Sequence, residues 1–171
     1  MQSWLLVRHL FEVDDGSLPD VFVEGLSGDK VVSIYNWVVS MSGDPGDKTA
    51  WCISSNTDVL IRKIASPAQK FIDGKIETFR HPLNGLCVNG TSLPLLTISL
   101  DSSSSISFDY RKGSEWKQSC INAFFELLAG VHALAPSAEI WQADEGTWDT
   151  KNPEFSAALK LFENASSKGA L

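Results

Sequence analysis

The side chains able to do chemistry in this chain are few and scattered. Three histidines, His9, His81 and His132, can ligate a transition metal or move a proton near neutral pH. A zinc site needs several ligands at short spacing, such as His-Glu-x-x-His, and no such pattern occurs, so neither a metal nor a cofactor is expected. Gly25-Leu26-Ser27-Gly28 has the wrong spacing for a nucleophile elbow, and the phosphate-cradling glycine motifs are absent. Cys52, Cys87 and Cys120 are widely spaced and lack a C-x-x-C pairing, which predicts reduced, buried thiols. Arg80-His81 has the residue types for anion binding with proton transfer, and Asp14-Asp15 those for cation binding. A surface loop with an exposed pair is the preferred reading of Arg80-His81, and an Asp-rich turn accounts for Asp14-Asp15 equally well. No catalytic residue is expected, and the chain reads as a non-enzyme.

Charge is the stronger signal. The formal net charge is −7, a field that repels a phosphate backbone, so nucleic acid is not an expected partner. Between positions 12 and 29 the chain carries Glu12, Asp14, Asp15, Asp20, Glu24 and Asp29 with no Lys or Arg among them. A second acidic stretch holds Glu139, Asp144, Glu145, Asp149 and Glu154 against Lys151 alone. Large side chains interleave with both: Trp141 and Trp148 in the second, and Val21, Phe22 and Val23 in the first. Tryptophan anchors are favoured at interfaces, and carboxylates around them attract and orient a basic partner. The expected partner-binding residues are therefore Glu139, Trp141, Asp144, Glu145, Trp148 and Asp149, with Asp14, Asp15, Asp20 and Glu24.

These residues need a scaffold, and the composition supplies one. Apolar residues make up 43% and charged residues 20%, near the globular average, so a packed core is expected rather than disorder. Residues 4–13 read as a strand rich in Leu, Val and Phe, turned at Asp14-Asp15-Gly16-Ser17 into a second strand at 21–25. Positions 31, 34, 35, 38 and 41 match one face of a helix over 29–41, although its β-branched residues also fit a strand. A short strand at 50–54, a strand at 58–64, and a helix from Pro67 through Ile72 follow. Residues 86–88 have room only for a brief pairing. Strands at 95–100 and 105–111 form the clearest hairpin, the second alternating Ile106, Phe108 and Tyr110 with Ser107 and Asp109. The main helix is expected over 114–135, a last strand over 139–143, and a terminal helix over 153–165 ahead of a frayed tail at 166–171.

Together these features predict one α+β domain over 1–171: a mostly antiparallel sheet packed against one long amphipathic helix, 114–135, with one or two further helices. No leader pattern and no long apolar run are read, which points to the cytoplasm and away from membranes. In class and composition alone, such a chain resembles bacterial immunity proteins. That resemblance implies a non-catalytic inhibitor that neutralises a basic protein partner such as a toxin. Two other readings remain open. One is a small enzyme or ligand-binding domain with a pocket between sheet and helix, served by Arg80, His81, His9 and Asp109. The other is an obligate homodimer hiding part of the surface of six Trp and nine Phe.

Overall fold

In the computed structural model, which describes residues 2–168, the chain opens with two short helices, α1 (Ser3–Val7) and α2 (His9–Glu12). The strand expected at 4–13 is thus absent. The physical reason is spacing: Val7, Leu10 and Phe11 are the residues buried, at helical intervals of three and four, and this packing overrides the local β propensity. No opening hairpin forms. The next element, β1 (Asp20–Glu24), pairs with distant strands instead.

Helix α3 (Gly28–Val39) follows, capped by Ser27, whose side chain accepts a hydrogen bond from the Lys30 amide. A hairpin of β2 (Thr49–Cys52) and β3 (Thr57–Leu60) comes next; the strand expected to reach 64 ends at 60 and gives way to a single 3-10 turn. Helix α4 (Pro67–Ile72) starts on its proline as expected. Beyond β4 (Phe79–Pro82), the tiny hairpin of β5 (Cys87–Val88) and β6 (Thr91–Ser92) turns on Asn89 and Gly90. Both have positive φ, as a two-residue type I′ turn requires. The long hairpin β7 (Leu96–Ser102) and β8 (Ser105–Tyr110) precedes helix α5 (Gln118–Leu134), and β9 (Glu139–Ala143) and helix α6 (Pro153–Lys168) complete the order.

Five strands form an antiparallel sheet in the order β4-β7-β8-β1-β9, consistent with an α+β fold built on a long helix. Helices are more numerous than expected, chiefly because of the N-terminal pair. Helix α5 begins at 118 rather than 114, because Lys117 is extended, and Trp116 is buried ahead of it with its indole N–H donating to the Arg111 carbonyl at 2.8 Å. Residues 166–168 continue α6 although fraying was expected there, and 169–171 lie outside the described residues.

Alternation divides the sheet. Val21 and Val23 of β1, Leu96, Ile98 and Leu100 of β7, and Ile106, Phe108 and Tyr110 of β8 point inward. There they join Phe124, Leu127 and Val131 of α5 and Phe155 and Leu159 of α6 in one buried cluster. Phe11, Tyr110, Trp116 and Phe124 form its aromatic centre, with ring centroids 4.7 to 6.2 Å apart. Helices α3 and α5 approach so closely that a Cβ at Gly130 would lie 2.2 Å from the Trp37 ring. The cysteines are free but not buried: Cys87 is exposed, and Cys52 and Cys120 are partly so. Among the described residues, no helix is long and apolar enough to cross a membrane.

Candidate functional site

The other face of the sheet carries the polar half of every strand. Asp20, Phe22 and Glu24 of β1 stand beside Ser105, Ser107 and Asp109 of β8 and beside Glu139, Trp141 and Ala143 of β9. Strand β7 adds Thr97, Ser99 and Asp101, and β4 adds Arg80. The strand twist and the 144–148 turn shape this face into an open concavity of about 440 Å³. Its lining contains five carboxylates, those of Asp20, Glu24, Asp101, Asp109 and Glu145, and one cation, Arg80. Trp141, Phe22 and Trp148 provide the aromatic walls.

Register explains how two acidic stretches more than a hundred residues apart come together. Antiparallel pairing of β1 with β9 puts Glu24 directly opposite Glu139, and pairing with β8 puts Asp20 opposite Asp109. Like charges directly across a ladder destabilise it. Partial burial pushes the Asp20 carboxyl up to about 6, and the Asp109 and Asp101 charges add to the rise, against opposition from Arg80 and a hydrogen bond from Trp148. Asp101 is shifted in the same direction, first by burial.

Other carboxylates here are held. Arg80 donates to Asp109 at 2.7 Å, the Trp141 indole N–H donates to Glu24 at 2.9 Å, and Glu145 accepts from the Leu18 amide at 2.9 Å. Phe22 and Trp141 stack with centroids 4.5 Å apart, and Lys151 lies 5.3 Å from the centre of the Trp141 ring. Trp148 is 63% exposed, an unusual cost for the largest apolar side chain.

The remaining expected contact residues lie outside this concavity. Asp14 pairs with Arg111 at 3.1 Å, while Lys112, only 8% exposed, bridges Asp15 at 2.9 Å and Asp144 at 3.8 Å. Hydrogen bonds from Ser17 and Lys112 hold the Asp15 carboxyl well below the usual range. These three acids therefore brace the turns that flank β1 and β9. Asp149 is exposed and accepts from the Thr150 hydroxyl.

The pocket imagined between sheet and helix is not where the concavity lies, because that space is packed by Phe108, Phe124 and their neighbours. His81 faces inward, buried, with Nδ1 2.8 Å from the Tyr35 hydroxyl and Nε2 without a partner, and burial lowers its pKa to about 4. His9 is exposed on α2, 3.1 Å from Glu154. Arg80 and Asp109 do share a site, on the opposite side of the sheet from His81. Ser99, Asp101 and Ser107 were not singled out by sequence, although the alternation of Ser107 and Asp109 against apolar neighbours pointed to this face. Among the described residues, no group of three or more His, Cys, Asp or Glu is arranged to hold a metal.

No protein-family model and no curated protein matches the chain. Among solved structures, it is similar to a chain in the crystal structure of the toxic C-terminal tip of CdiA from Pseudomonas aeruginosa in complex with immune protein. The TM-score is 0.51 at 15% identity, over 79% of this chain and 92% of that one. A second likeness, to the Pseudomonas aeruginosa T6SS protein PA0821, has a TM-score of 0.39 at 10% identity, over 88% of this chain and 52% of that one. At such identities the first likeness is one of fold: this α+β architecture is shared with a chain of a toxin and immune-protein complex.

Proposed function

We propose that the chain is a non-catalytic, immunity-type inhibitor that acts in the cytoplasm, using the open face of its sheet to dock onto a basic protein partner such as a toxin domain. One observation carries this reading. The central strands shape an open concavity and line it with five carboxylates, the Trp141 and Phe22 rings and an exposed Trp148. Such an arrangement lowers the stability of the isolated chain and becomes favourable when a cationic surface covers it. The fold shared with a chain of a toxin complex supports the same reading.

Affinity capture from the native lysate tests it, with wild type compared against a variant combining Asp20→Asn, Glu24→Gln, Glu145→Gln and Trp148→Ala. Wild type should hold a basic protein in near-stoichiometric amount at low salt and release it at high salt. The variant should not hold it, and co-expression of the wild type should suppress any toxicity of the captured protein. Equal capture by both baits would overturn this face as the interface.

A further inference from the structure

Resting on the docking reading, we propose that the concavity is a receptor for a single arginine side chain of the partner. Its guanidinium would bind the Asp20 and Asp101 carboxylates and the Ser99 hydroxyl, against the Trp148 wall. Charge sets the sign: five carboxylates line the concavity against one internal cation. The chain also holds its own precedent, since the Arg80 guanidinium already sits in this site, 2.7 Å from Asp109.

Ser99 adds an acceptor to the site independently of the charge. It is only 8% exposed and lines the concavity, yet its hydroxyl has no hydrogen-bond partner among the described residues. Its oxygen opens onto the concavity rather than being sealed in the core, so an incoming N–H donor can reach it. Asp109, Glu24 and Glu145 already accept from Arg80, Trp141 and the Leu18 amide, whereas Asp20 and Asp101 keep acceptor capacity beyond their contacts with Trp148 and Ser107. A planar fork of donors suits several acceptors converging on one concavity, and a flat, weakly hydrated cation stacks well on indole, which favours arginine over lysine. The volume of about 440 Å³ falls within the range of small-ligand pockets, about 300–1,000 Å³.

The test titrates the full chain with N-acetylarginine amide, and with the neutral isostere N-acetylcitrulline amide, while following the indole N–H resonances by NMR. Saturable shifts at Trp148 and Trp141 are expected with the arginine probe, with citrulline weaker by about tenfold. Asp101→Asn should weaken the arginine probe by about fivefold, and Arg80→Gln, which removes the internal competitor, should strengthen it by a few-fold. An unshifted Trp116 resonance verifies that each variant is folded. Absence of saturable shifts, equal binding of citrulline, or indifference to both substitutions would overturn the proposal. Partner capture through this face without arginine-probe binding would overturn this inference alone. Probe binding with no captured partner would uphold it and sink the docking reading.

Discussion

On one side of the five-stranded sheet, Val21, Val23, Ile106, Phe108 and Tyr110 meet the helices and are lost to solvent; on the other, their immediate neighbours Asp20, Phe22, Glu24, Ser107 and Asp109 line the open concavity. The two faces share strands, register and hydrogen bonds, so the backbone cannot account for their difference. On the covered face every choice lowers the energy of the folded chain. On the open face, Asp20 set against Asp109 and near Asp101 raises it. Local choices that work against stability mark places where something other than stability was selected.

Substitutions on the two faces should therefore separate stability from binding. The largest effect belongs to the covered face: Phe124→Ala should cost about 3–5 kcal/mol in urea denaturation, by opening a cavity in the aromatic cluster. Trp148→Ala should leave stability within about 0.5 kcal/mol yet weaken the partner complex by about 2 kcal/mol or more, read by calorimetry. If both variants lost the same quantity, the contrast between the faces would collapse.

Asp20 sharpens the contrast because it should act in the opposite direction. Its carboxyl titrates at about 6 in the folded chain against an ordinary 3.8, so the folded state binds this proton more tightly than the unfolded one. The resulting penalty is absent below about pH 4, grows as pH rises through 6, and is complete above it. Asp109, Asp101 and Arg80 are the charged groups that face it. Discounted for solvent, the penalty is about 1–2 kcal/mol. Asp20→Asn should thus stabilise the chain by that amount at pH 7.5, gain nothing at pH 4, and weaken partner binding at neutral pH. A destabilised variant at pH 7.5 would remove the argument that this face is strained.

The smallest effect should come from the rim. Neutralising Glu145 and Asp149 should slow association severalfold at low salt and flatten its salt dependence, with little change in dissociation. Neutralising Asp144 should instead act through Lys112, loosening the turn rather than the encounter.

Elements with a clear period were legible in the residues. The 3.6-residue spacing of α3 and α6, the proline start of α4 and the alternation of β8 all appear where the chain pattern puts them. Residues 4–13 misled because Leu, Val and Phe favour strands locally, while Val7, Leu10 and Phe11 are buried together only as helix. The candidate site was half legible. Composition singled out Asp20, Glu24, Trp141, Glu145 and Trp148, but their meeting depends on β1 pairing with β9 across the length of the chain, which no local pattern encodes. The same pairing drew Asp14, Asp15 and Asp144 into contact with Arg111 and Lys112, cations that a count of the two acidic stretches leaves out.

Carbodiimide labelling of carboxylates, read by mass spectrometry on the free chain and on its complex with the captured partner, tests the docking face most directly. Asp20, Glu24, Asp101 and Glu145 should lose labelling in the complex, while exposed Asp47, Asp58 and Glu77 label as before. Protection of Asp47, Asp58 or Glu77 with the open-face carboxylates still labelled would contradict the account and place the partner elsewhere.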